Sequence, residues 1–88
     1  MIAPADLDAA RAELLAKSSE TIEGETAVKW GARALAAWEL AAKSRADAAT
    51  YVHWFKEAVV YKHEALEHAS CAQVGLLDTL QYQLRDVP

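Results

Sequence analysis

The 88-residue sequence has little of what stabilises or interrupts most small proteins. Cys71 is its single cysteine, so no disulfide can form within the chain, and a lone thiol suits a reducing compartment such as the cytoplasm. With three glycines and two prolines, there are few positions at which a helix must end. A short chain without disulfides depends on its apolar core, a metal or a second subunit for stability.

Further absences disfavour several classes of protein. No apolar run is long enough to cross a membrane, and the first residues lack the basic and apolar regions of a signal peptide, so we expect a cytoplasmic protein. The net charge is −4 and the basic residues are scattered, which disfavours nucleic-acid binding. A glycine-rich phosphate loop and a nucleophile elbow are also missing. We therefore predict neither enzymatic activity nor a cofactor.

What the sequence does contain favours helix throughout. Alanine, leucine and glutamate are abundant, and all three are strong helix formers. No segment shows the alternation of apolar and polar residues, bounded by turn signals, that marks a strand. The sequence therefore predicts an all-α fold, with residues 1–88 forming a single domain.

Apolar periodicity predicts two helices in the first half of the chain, over residues 5–17 and 22–43. Between them, residues 18–21 predict a break, where Ser19 is a candidate cap for the second helix. Small residues recur every seven positions in the second helix and allow another helix to approach closely. The apolar residues of the first helix and the small residues of the second are Leu7, Ala10 and Leu14, and Ala27, Ala34 and Ala41.

A capping motif predicts where the third helix begins. Ser44 is followed three residues later by Asp47, as in a capping box, in which each side chain bonds to the other residue's amide. The second helix is therefore predicted to end near residue 43 and the third to begin near residue 45. The apolar face of the third helix keeps its phase past Gly75. A single helix over residues 45–85, about 60 Å long and kinked near Gly75, is predicted.

The short connection at residue 44 makes the second and third helices antiparallel neighbours, so we predict a long helical hairpin. Two positions remain open for the first helix. In the simpler one, the first two helices pack end to end along the third, and the hairpin pairs with a second copy into a four-helix bundle. In the other, the chain folds back at residues 18–21 and the first helix covers the apolar face of a monomer.

Aromatic residues predict an interaction surface. They gather around the turn and the middle of the hairpin, where one layer of facing helix cannot cover them all. Large aromatic side chains that a monomer leaves uncovered are frequent anchors of interfaces. We therefore expect a non-enzymatic interaction module that forms a homodimer, such as an adaptor, inhibitor or accessory protein of a bacterium or phage. The predicted contact residues are Trp30, Trp38, Trp54, Phe55 and Leu66.

A polar stripe on the third helix supports a second interpretation, a metal-binding helical bundle. Imidazoles and carboxylates at helical spacing are suitable metal ligands. The stripe lacks the Glu-x-x-His pattern of ferritin-like sites and misses the His-Glu-x-x-His zinc motif by one position. It also lies opposite the apolar face of its own helix, so we expect a solvated face in preference to a metal site. The candidate ligands are His53, Glu57, Glu64 and His68.

Overall fold

The computed structural model describes residues 4–17 and 21–88 of the chain. Its regular elements are four α-helices: α1 (Pro4–Lys17), α2 (Ile22–Lys43), α3 (Ala48–Ser70) and α4 (Leu76–Gln83). The predicted all-α fold is confirmed for these residues. None of the helices in the described ranges is both long and apolar enough to cross a membrane.

The predicted hairpin is formed by α2 and α3, which share the most extensive packing of any two helices. The small residues that recur every seven positions in α2 are completely buried, as are Ala58 and Ala65 of α3. Because an alanine extends little beyond the backbone, two helices lined by alanines can pack at short distance. The interior of the hairpin is therefore narrow, and its tryptophans lie at the edges of the interface, half-buried.

The expectation that α1 and α2 lie end to end is wrong. Helix α1 packs beside α2 and also contacts α4, and its predicted apolar face is buried. Gly31 of α2 makes room for this packing, since a Cβ there would lie 2.8 Å from Leu80 Cδ2 and 3.4 Å from Leu14 Cδ1. The alternative, in which the chain folds back, matches this arrangement. The fold-back removes leucines of α1 from water. Burial of apolar surface stabilises a fold by about 25 cal/mol per Å².

The single long third helix is also wrong, because α3 ends at Ser70 and a separate helix begins at Leu76. Gly75 adopts a φ of 97°, a left-handed conformation that reverses the chain direction and that side chains with a Cβ rarely adopt. Helix α4 therefore returns to pack on α1, α2 and α3. A straight continuation would leave Leu76 and Leu80 beyond the end of the hairpin, whereas the return buries both completely.

The caps of α2 and α3 differ from those predicted. Ser19 lies outside the described residues, and the N-cap of α2 is Thr21, whose hydroxyl accepts a hydrogen bond from the Gly24 amide at 2.7 Å. Ser44 is not an N-cap: it follows α2 as its C-cap, and α3 begins only at Ala48. The N-cap of α3 is Asp47, so the predicted capping box is wrong. The Asp47 amide donates its hydrogen bond to the backbone carbonyl of Ser44, at 3.0 Å, and not to the serine hydroxyl.

Candidate functional site

An aromatic cluster lies on one edge of the hairpin, near the turn between α2 and α3. The ring of Phe55 contacts Trp38 edge to face, with centroids 5.8 Å apart, and contacts Tyr51 at 5.9 Å. All three rings remain half-buried. Trp38 packs against the buried core, whereas Phe55 and Tyr51 lie outside it. Trp38 therefore covers one side of the Phe55 ring, and Tyr51 contacts the cluster through Phe55.

The remaining tryptophans lie on the opposite edge of the hairpin. Trp30 contacts Tyr61 with ring centroids 5.5 Å apart, and the Arg33 guanidinium lies over the Trp30 ring at 4.9 Å. Trp54 shares this edge, since it precedes Tyr61 by seven residues, or two helical turns. A hydrogen bond to the Glu57 carboxylate raises the pKa of Tyr61. The residues predicted to form one interface are thus divided between two edges.

A heptad-like seam runs along α3 beside the aromatic cluster. Steps of four and three residues alternate along it, the spacing by which helices pack against one another in coiled coils. Its first half is open to solvent: Val52 is 48% exposed, Val59 is 36% exposed and Phe55 is half-buried. The seam comprises Ala48, Val52, Phe55, Val59, Lys62 and Leu66.

The second half of the seam is covered by the chain itself. The Lys62 ammonium donates a hydrogen bond to the Val87 carbonyl at 2.7 Å, and Leu66 packs against the buried core. Val87 is buried as well. Of the predicted contact residues, Leu66 is therefore covered within the chain, Phe55 belongs to the open half and Trp38 borders it. Val52 and Val59 were not among the predicted contact residues, although their seven-residue spacing was a detectable signal.

The polar stripe does not lie wholly in solvent as expected, because its end contacts α2. His68 Nδ1 lies 2.6 Å from Glu23 Oε2, and His68 Nε2 lies 3.9 Å from Glu64 Oε2. Glu23 stands in the first turn of α2, where its negative charge suits the helix dipole, and His68 stands in the last turn of α3. His53 is exposed and contacts the Trp54 ring instead. The contact between His68 and Glu23 therefore links the end of α3 to the start of α2.

The candidate metal ligands do not converge in this structure. Among the residues that the structure describes, no group of three or more histidine, cysteine, aspartate or glutamate side chains is placed to hold a metal ion. Tyr61 engages Glu57, and Glu23 engages His68. The metal-binding interpretation stays a prediction, and analysis of the metal content of untagged protein tests it.

Comparisons with known proteins add no relative. No protein-family model matches the chain, and no curated protein or solved structure is significantly similar to it.

Proposed function

We propose that the chain is a non-enzymatic interaction module that self-associates through the open half of the α3 seam. This surface consists of Val52, Phe55 and Val59, bordered by Trp38 and Tyr51. The observation that carries the proposal is that the rest of the chain covers only one half of the seam. The chain packs against the seam at Lys62 and Leu66 and leaves its other half exposed.

A second copy is the simplest partner for such a surface. Both copies present the same seam, and a two-fold axis across it brings the two apolar halves together. Full burial of a valine or a phenylalanine contributes about 1.5–3 kcal/mol, so a few such residues supply much of the free energy of a weak dimer. The Trp38–Phe55–Tyr51 cluster adds large, rigid rings of the kind that anchor interfaces.

Sedimentation equilibrium across the micromolar range tests self-association. We expect the wild-type mass to rise from monomer towards dimer as concentration increases. The double variant Val52→Glu/Val59→Glu should weaken association at least about tenfold, because two charges would have to be desolvated in the interface. Both valines are already exposed in the monomer, so the variant should keep its helical circular dichroism.

Val60→Glu is the matched control. Val60 is 54% exposed on the same helix but falls outside the seam, so this variant should associate like the wild type. A wild-type mass that stays monomeric at every concentration would refute self-association. Equal weakening by the control and the double variant would refute the assignment of the surface.

The cytoplasm is the compartment that we propose for this module. Cys71 is exposed and free, and a reducing environment would keep its thiol from linking copies of the chain covalently. Under oxidising conditions we would expect disulfide-linked dimers that do not depend on the α3 seam.

A further inference from the structure

A groove of about 600 Å³ lies between α1 and α2, on another side of α2 from the hairpin interface. Such a volume is in the range of sites for small ligands. Its apolar surface comes largely from small residues of α2 and from Leu15 of α1, which is 63% exposed. Besides Leu15, the groove is lined by Arg11 of α1 and by Glu25, Val28, Lys29, Ala32 and Arg33 of α2.

Charge is distributed unevenly along this groove. On α2, Glu25 is followed at successive turns by Lys29 and Arg33, so one wall changes from acidic to basic along its length. Arg11 of α1 lines the same groove from the other helix. Three cations therefore line this groove against one carboxylate, although the chain as a whole has a net charge of −4.

These cations are only weakly engaged within the protein. Arg11 lies 3.7 Å from Asp8, a carboxylate that is itself 81% exposed. The Arg33 guanidinium rests over the Trp30 ring at 4.9 Å. Among the side chains that the structure describes, Lys29 forms no ion pair. A ligand anion would therefore compete mainly with water, since exposed ion pairs contribute little.

We propose that the groove binds an amphipathic carboxylate with a single aliphatic chain. The carboxylate would lie among Arg11, Lys29 and Arg33, and the chain would run over Val28 and Ala32 towards the acidic end. The groove extends along α2 for roughly 16 Å, from position 25 to position 36, which accommodates an extended chain of medium length. Glu25 opposes the reverse orientation of the ligand, because that orientation would place the ligand carboxylate next to the Glu25 carboxylate.

Calorimetric titration with octanoate, decanoate and dodecanoate, each below its micellar concentration, tests the proposal on the full chain. Affinity should rise with chain length, by up to about fourfold for each buried methylene, until the chain is as long as the groove. Dodecanol should bind more weakly than dodecanoate, and added salt should reduce the difference between them. Trp30 fluorescence provides a second signal, because Arg33 would move from its ring towards the carboxylate.

Variants distinguish recognition of the ligand's carboxylate from recognition of its aliphatic chain. Arg11→Gln, Lys29→Gln and Arg33→Gln should each weaken dodecanoate binding about threefold and leave dodecanol binding unchanged. Ala32→Phe should fill the floor and weaken both ligands. Lys56→Gln removes an exposed cation of α3, outside the groove, and should have no effect. Circular dichroism of each variant verifies that the helices remain folded.

Three outcomes would overturn the proposal. The first is the absence of saturable dodecanoate binding. The second is equal affinity for the alcohol and the carboxylate with no response to the glutamine variants, since cation recognition would then be missing. The third is binding of an acidic amphipathic helical peptide, abolished by Ala32→Phe, without any binding of the carboxylates; this would assign the groove to a protein partner.

Discussion

Asp47 takes the N-cap role that the spacing predicts for Ser44, while Ser44 ends the preceding helix. Asp47 is the N-cap of α3, and its carboxylate accepts a hydrogen bond from the Thr50 hydroxyl at 2.7 Å. This bond lowers the pKa of Asp47 below its usual 3.8. The acid that was expected to support a serine cap is thus itself the residue at the helix start. A four-residue motif can place a helix start within one turn, but the choice of cap depends on where the preceding helix ends.

The lowered pKa of Asp47 predicts a pH dependence of stability. Because the folded-state pKa lies below the unfolded value of 3.8, the charged carboxylate stabilises the fold above pH 3.8, and this contribution is lost as pH falls through the folded pKa. We expect the melting temperature of the wild type to exceed that of Asp47→Asn at neutral pH. The difference should shrink below pH 3.8.

Thr50→Val is the matched control for this titration, because it removes the hydroxyl and keeps the shape of the side chain. It should shift the loss of stability to higher pH, towards the ordinary pKa of an aspartate. Ser44→Ala should change stability much less than the loss of an N-cap, since Ser44 caps no helix start. Melting temperatures that run parallel for the wild type and Asp47→Asn at all pH values would contradict this account.

At the scale of the element, the break between α3 and α4 is the main departure from the sequence analysis. The apolar residues of α4 keep the phase of α3, which predicts a continuous helix. Leu76, Leu80 and Leu84 are completely buried, but against a bundle to which α4 has returned. Periodicity records which residues of a helix are buried and not the direction in which the helix runs, so two separate helices in phase resemble one long helix.

Substitution of Gly75 distinguishes one continuous helix from two separate helices, because the change in stability has the opposite sign in each. In a continuous helix, Gly75→Ala would stabilise the protein by about 1 kcal/mol through helix propensity. In this structure the residue has a φ of 97°, and an added Cβ would meet nothing within 4 Å, so the change should destabilise it by about 1–2 kcal/mol through backbone strain alone. Urea denaturation measures the free energy of unfolding.

Gly75→Asn is the companion variant, because asparagine tolerates left-handed conformations better than alanine. It should lie between the wild type and Gly75→Ala in stability. A gain in stability on Gly75→Ala would indicate that α3 and α4 form one helix.

At the scale of the whole molecule, α1 and α4 close the bundle over α2. A Cβ on Gly31 would contact both Leu14 and Leu80, so the three helices meet at this glycine. The buried cluster includes residues of all four helices. Helix α1 is therefore part of the core and not an appendage to the hairpin. The longest dimension of the molecule is 41 Å, well below the length of the helix expected from sequence.

This packing predicts that Leu14→Ala destabilises the entire protein. The completely buried leucine leaves a cavity, and we expect a loss of about 2–5 kcal/mol. Far-ultraviolet circular dichroism and tryptophan fluorescence should report one shared transition, although the tryptophans belong to α2 and α3. Leu15→Ala, one residue away on the exposed side of α1, should have a much smaller effect. If Leu14→Ala leaves the fluorescence transition unchanged, α1 unfolds independently of the core.

The sequence by itself determined the all-α fold, the antiparallel pairing of α2 with α3 and the buried face of α1. These follow from composition, the period of the apolar residues and a short connection, all of which act between near neighbours in the chain. Only the tertiary structure decided that α1 folds back, that α3 ends at Ser70 and that the aromatic residues divide between two edges. Each of these depends on which apolar face finds cover from a distant part of the chain, and that free energy is not encoded in any local pattern.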